Sequence, residues 1–388
     1  VLAEGATLAS QPKRAQSHVI ALHLAAGGAW VGALWARDIV AVIICVNAGW
    51  LAVAALTALS PARGALNGAL RMLFSGGAAA AFMLLGAGLI GYAVGDGAVS
   101  AVANAVIAAP VMALLGFVML LAPLMLIAGA APLHHWSGPA YGASNAGLAL
   151  TIASIAALVL IVRLAAVAAT APALAEGVQM ALASVGVASV LIGSLQAVGA
   201  INVRRLVAYA GAAQAGCVLV AIALESPAGL AAALVQVVAW GAGAFALLAG
   251  MSVSRDAALT ALDGLGRRAP LAGVAITVGA LSFMGAPLTL GFLGRWRLIE
   301  AGVGAGWWWA TGAAIITSLA AVFYGGRLIE RLYFRRASET SALDPQLWRL
   351  ARAPVMAAAV VLIAFGLAPG WLLDLAARAA ALALGLVA

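Results

Sequence analysis

Charge is the first thing this chain is short of. Of its 388 residues only 8% are charged, whereas 65% are hydrophobic, and the mean hydropathy is +1.13. No water-soluble domain can hide that much apolar surface, so the composition implies an integral membrane protein of many helices. Alternation with period two is missing too, and the apolar runs reach about twenty residues, which excludes an outer-membrane barrel. Cysteine is nearly absent. Cys45 and Cys217 both fall inside apolar runs, so neither a disulfide framework nor a CxxC metal site is available. No Rossmann fingerprint, P-loop, four-cysteine set or haem ligand pair occurs, so the chain itself is expected to bind no nicotinamide, flavin or iron–sulfur cluster. No A-x-A cleavage signature follows the polar segment Gln11-Pro-Lys-Arg14, so no signal peptide is read. The first residue is Val1 and not methionine, so upstream residues are expected to have been removed or to lie outside the sequence.

What is present is a series of eleven apolar runs, near 17–36, 38–59, 67–94, 105–131, 143–168, 177–199, 204–224, 229–252, 269–299, 306–328 and 353–373. Each reaches the ~20 residues that a hydrocarbon core of ~30 Å requires. Gly and Ala dominate them, which lets helices approach closely. The formal net charge of +8 does not form a stripe, because the basic residues sit between the runs. They read as topology signals and lipid headgroup contacts, not as a nucleic-acid surface. Fifteen of the twenty Lys and Arg fall on the side of the N-terminal segment, leaving Arg37, Arg163, Arg295, Arg297 and Arg378 opposite. The N-terminal side is therefore expected to be cytoplasmic and the C-terminus to lie on the other face.

Two of the runs are interrupted. Gly285-Ala-Pro-Leu288 breaks the run that starts near Leu271, and Gly129-Ala-Ala-Pro-Leu-His-His-Trp136 breaks an earlier one. Proline lacks a backbone N–H and clashes with the preceding turn, and glycine loosens the backbone beside it. Pro132 and Pro287 stand 155 residues apart, five helices on. An odd number of spans per repeat inverts the second copy, the architecture of ion-coupled transporters. The expected fold is all-α and polytopic, with two inverted five-helix repeats, each containing a broken helix, and a C-terminal helix. The expected divisions are a polar segment 1–16, a first repeat 17–168, a second repeat 177–328, a cytoplasmic loop 329–352, and a C-terminal helix and tail 353–388.

These stretches resemble a known family. Leu281-Ser-Phe-Met-Gly-Ala-Pro-Leu-Thr-Leu-Gly-Phe-Leu-Gly-Arg-Trp296, Asn202-Val-Arg-Arg-Leu-Val-Ala-Tyr209, Pro132-Leu-His-His-Trp136 and Gly243-Ala-Phe245 are similar to motifs of the antiporter-like membrane subunits of proton-pumping NADH:quinone oxidoreductase (complex I). That group is related to Mrp-type cation antiporters and membrane-bound hydrogenase subunits, and the resemblance is greatest to the N-type subunit. It covers nearly the whole chain. Family members usually have fourteen helices, so the resemblance implies that three leading helices are missing. It also implies a non-catalytic, multi-pass subunit of the bacterial inner membrane, held among other membrane-arm subunits and lipids. NADH, FMN, iron–sulfur clusters and quinone would belong to partner subunits; quinone contact has no residue signature here. An Mrp-type antiporter or a membrane-bound hydrogenase is the alternative assembly.

The family's proton path implies a Glu, a Lys on the first broken helix, a Lys or His on the next helix, and a Lys or Glu on the second broken helix. Desolvation brings such lysines toward neutral pKa values, which a relay through lipid requires. By ungapped comparison these positions hold Asn47, Ile127, Ser154 and Arg295. Gln214 stands where the family often has His. Asn47 and Ser154 can bond water but cannot relay a proton alone, Ile127 can do neither, and a guanidinium essentially never deprotonates. Own pumping is therefore expected to be lost or reduced. The alternative is active proton or cation translocation by a rewired path through Arg295, Glu300, His134 and bound water. Glu300 either pairs with Arg295 or ends its helix as a solvated group, and His134 either faces an internal water chain or caps the break. His23 reads as a packed or interfacial residue, Arg71 and Arg163 as snorkelling or structural, and Trp307-Trp-Trp309 as an interfacial belt.

Overall fold

The computed structural model describes residues 13–254, 256–336 and 345–384. Among them the regular structure is helical. Helices α1 (Lys13–Trp35), α2 (Ile39–Ala58), α3 (Ala65–Val94), α4 (Pro110–Ile127), α5 (Ser137–Ala143) and α6 (Gly147–Ala169) come first. They are followed by α7 (Pro172–Gly199), α8 (Val203–Ala223), α9 (Pro227–Gly250), α10 (Pro270–Met284), α11 (Leu290–Gly304) and α12 (Trp308–Tyr333). The last two are α13 (Pro345–Leu367) and α14 (Gly370–Ala383). Nine of the described helices are long and apolar enough to cross a membrane. These nine, the interrupted pair α10–α11 and helix α13 account for the eleven expected runs.

The helix ends follow from residue chemistry. Asp38 caps α2 by accepting from Ala41 N–H, Asn202 caps α8 by accepting from Arg204 and Arg205 N–H, and Ser226 caps α9 through Gly229 N–H. Each satisfies backbone donors that a helix start leaves unpaired. Helices α4, α7, α9 and α10 begin with proline, whose missing N–H costs nothing there.

The two halves share local devices. Before α2, Asp38 bridges Ala98; before α8, Asn202 bridges Ala258. The bonds match in kind: Ile39 N–H to Gly97 O at 2.8 Å and Val203 N–H to Ala257 O at 2.8 Å. Ala109 (φ −149°, ψ 78°) precedes α4 much as Ala269 (φ −134°, ψ 75°) precedes α10. Left-handed glycines follow both helices, Gly129 at φ 74° and Gly285 at φ 70°, a region that costs other residues about 1–2 kcal/mol.

Helix α8 is the hub, with 94% of its apolar window buried against 22% for α1. Small residues let neighbours touch it: a Cβ on Gly216 would lie 2.5 Å from Gly186 O, and likewise one on Gly86 would lie 2.6 Å from Gly116 O on α4. Backbone approach of this kind is how helices associate where lipid removes the hydrophobic drive.

Several boundaries differ from expectation. The run 105–131 is not one helix, because Pro110 cannot donate to the preceding turn and so separates α4 from a short helix Val102–Ala108. The C-terminal helix does not run to 373. The chain turns by 85° between Ala351–Leu367 and Gly370–Ala383, since Pro369 cannot continue α13. The loop expected at 329–352 is shorter, because α12 extends to Tyr333 and α13 starts at Pro345; residues 337–344 lie outside the described residues, as do 1–12 of the N-terminal segment and 385–388 of the tail.

Candidate functional site

The second break is built by two half-helices that overlap. Helix α10 closes on Gly285, whose N–H reaches Leu281 O and Ser282 O. The chain then turns through Leu288 at φ 69°, a left-handed conformation rare for a bulky residue. Helix α11 restarts at Leu290 alongside the last turn of α10. A Cβ on Gly291 would fall 1.9 Å from Ser282 O, and one on Gly294 would fall 2.3 Å from Gln236 Oε1. Glycine at both positions brings the next residue, Arg295, against the end of α10.

Arg295 is 3% exposed. Its Nη2 donates to Phe283 O and its Nη1 to Ser318 Oγ at 3.1 Å. Gly285 lies under the guanidinium, for a Cβ there would sit 2.7 Å from Nη1. No carboxylate is paired with Arg295 among the described residues. What holds the charge is the C-terminal end of α10, whose free carbonyls carry partial negative charge. Gln214 Nε2 reaches the same Phe283 O at 3.5 Å, and Gln214 Oε1 accepts from Gln236 Nε2. Ser282 Oγ, Gln236 Oε1 and Arg295 Nε are buried without a hydrogen-bond partner among the described residues. The second break is thus a polar cluster around one fixed cation.

The first break satisfies its carbonyls with neutral groups. Trp136 Nε1 donates to Leu126 O at 2.8 Å, and Ser154 Oγ to Ile127 O at 3.3 Å. The Ile127 side chain is packed into the apolar core at 1% exposure. His134 bonds Gln196 Oε1 through Nε2 at 2.6 Å, while its Nδ1 is buried without a partner among the described residues. His135 meets Ser75 Oγ at 3.4 Å.

The structure therefore brings Ser154 to Ile127, and Gln214 to Arg295 through one shared carbonyl. Asn47 joins neither group; its Nδ2 donates to Ile43 O of its own helix at 2.8 Å. Glu300 is not Arg295's partner. It pairs with Arg297 at 2.9 Å on an exposed face, one turn before α11 ends at Gly304. Arg163 makes a structural contact, Nη1 to Leu34 O at 3.3 Å, and His23 bonds back to Val19 O. Trp307 and Trp309 stack at 5.9 Å, with Trp308 and Trp309 exposed. Sequence reasoning missed Gln236, Ser318 and Gln196. The signal for the glutamines was an amide inside an otherwise apolar run, which lipid tolerates only where it is bonded.

These features define a class: a multi-pass helical membrane protein of antiporter-like fold, with breaks inside the bundle and a buried cation at one of them. Residues 36–321 match the family "NADH:quinone oxidoreductase/Mrp antiporter, TM", and the chain belongs to that family. It is 34% identical over 339 residues to NADH-quinone oxidoreductase subunit 14 of Thermus thermophilus, covering 87% of this chain and 75% of that one. It is 31% identical over 328 residues to NADH-quinone oxidoreductase subunit N of Mycobacterium tuberculosis, covering 81% of this chain and 61% of the relative's length. Among solved structures, a chain of respiratory complex I from Thermus thermophilus superposes with a TM-score of 0.78 at 30% identity, over 92% of this chain and 79% of that one.

Proposed function

We propose that this chain is an N-type, antiporter-like membrane-arm subunit of a bacterial inner-membrane NADH:quinone oxidoreductase, and that it has lost or much reduced proton translocation of its own. The chain is read as two inverted five-helix repeats, with redox cofactors and quinone chemistry in partner subunits. The observation that carries the loss is the Ile127–Ser154 pair. A relay needs groups that exchange protons near neutral pH. At the first break those positions hold a packed aliphatic side chain and a hydroxyl already donated to that residue's carbonyl. Asn47 is bonded back to its own helix, and Arg295 sets a field without releasing a proton.

A second reading has one observation in its favour. The unpartnered Nδ1 of buried His134 is a group that could face bound water in a rewired path. Installing Asn47→Glu, Ile127→Lys and Ser154→Lys together in the assembled complex, and counting protons moved per NADH oxidised, separates the two. A rise over the parent complex supports the loss of translocation. A parent count already at the full value of pumping relatives, lowered by His134→Ala, overturns it.

A further inference from the structure

An open cavity of about 710 Å³ lies between the start of α9, the C-terminal half of α11 and helix α14. That volume falls within the ~300–1,000 Å³ typical of small-ligand sites. It opens on the residues of α11 that follow Arg295, from Arg297 to Gly304. Its walls are low and mostly small, including Ala231, Ala301 and Gly304, and its charges come from Arg297, Glu300 and Asp374.

The bonding of those charges is uneven. Arg297 gives Nη1 to Glu300 at 2.9 Å, while its Nε is buried without a partner among the described residues. Asp374 is exposed and makes no ion pair or hydrogen bond among the described residues. One cation and two carboxylates leave the cavity with a net negative formal charge. It therefore repels a free inorganic anion, and an anionic headgroup as well.

The surroundings point to the headgroup level. Helix α14 turns by 85° from α13 and packs Leu372, Ala376 and Ala380 inward, the habit of a helix lying along an interface. Exposed tryptophans stand on the neighbouring segments: Trp296 on α11, Trp308 and Trp309 at the start of α12, and Trp371 on α14. Such belts mark the headgroup level.

We infer that this cavity binds the headgroup of a zwitterionic phospholipid carrying a primary ammonium, an ethanolamine-type lipid. Arg297 takes the phosphate through the exposed end of its guanidinium, and Asp374 accepts from the ammonium. The alanine and glycine walls leave room for the glycerol and the upper acyl chains. A choline headgroup has no N–H to give and leaves Asp374 unbonded. A glycerol headgroup carries no ammonium, so the negative charge of its phosphate is left uncompensated.

The test is native mass spectrometry of the detergent-solubilised full chain, offered equal amounts of phosphatidylethanolamine, phosphatidylcholine and phosphatidylglycerol. Ethanolamine lipid is retained in preference, and Asp374→Asn lowers that retention roughly three- to fivefold, as expected for an exposed charge contact. Arg297→Gln lowers it too, and excess inorganic phosphate displaces none of it. Equal retention of the three lipids, an unchanged preference in Asp374→Asn, or displacement by phosphate alone overturns the proposal. A photo-cross-linker placed at Ala377 gives a second reading: a lipid adduct in native membranes supports it, and an adduct with another protein subunit overturns it.

Discussion

Arg295 donates to the carbonyl of Phe283 across the break in its own membrane span. The contact joins the restart of one half-helix to the free end of the other. It places a permanent positive charge where the C-terminal dipole of α10 favours one, and it needs no carboxylate. An arginine suits this role because its fork serves two acceptors at once, here Phe283 O and Ser318 Oγ.

Removing that fork should therefore cost stability. Arg295→Ala leaves the Phe283 carbonyl with only the long Gln214 bond, and we expect a loss of about 2–3 kcal/mol. Arg295→Lys recovers less than half, because an ammonium on a single stem cannot span both acceptors. Thermal unfolding in detergent, followed by circular dichroism, reads both variants.

The overlap of the two half-helices depends on missing side chains. Gly291→Ala drives a Cβ to 1.9 Å from the backbone oxygen of Ser282, and the expected loss is on the order of 3 kcal/mol. Gly312→Ala, where no atom lies within 4 Å, is the control and should be neutral or gain about 0.5–1 kcal/mol. A ranking in the opposite sense would refute the described overlap.

At the first break the hydroxyl of Ser154 serves a carbonyl, not a proton. Ser154→Ala should cost about 1 kcal/mol and leave proton translocation by the complex unchanged. The paired measurement of melting temperature and proton count checks both halves of that statement.

Glu225 gives the chain a pH dependence outside its spans. It lies between α8 and α9, its Oε2 accepts from Gln179 Nε2 at 2.9 Å, and its Oε1 is buried without a partner among the described residues. Burial pushes its carboxyl above the usual carboxylate range, opposed in part by the Gln179 bond. The folded state then holds this proton to higher pH than the unfolded state does. Stability should fall as pH rises from the ordinary carboxylate pKa through the raised one. Glu225→Gln should flatten that slope, which pH-resolved thermal melts would show.

Much of this was legible in the sequence, for identifiable reasons. Pro132, Pro287 and the glycines beside them announced both breaks, because proline and glycine act on the backbone wherever they stand. The capping residues Asp38 and Asn202 are local signals of the same kind. The Gln214–Gln236 ladder was not legible, since it joins two helices through side chains 22 positions apart and neither residue carries charge. Glu300 was ambiguous between pairing with Arg295 and ending its helix as a solvated group, although a spacing of three residues places it on one helical face with Arg297. Only the structure shows that Arg297 and Glu300 face outward together while Arg295 turns in. The bend before α14 was not read, although Pro369 marks where the helix ends.

The central claim, that this chain holds charge at its second break without carrying protons, is tested most directly by one count. Protons translocated per NADH oxidised are measured for the complex assembled with the parent chain and with Arg295→Gln, at matched amounts of assembled complex. The account predicts the same ratio in both. A lower ratio in Arg295→Gln contradicts it.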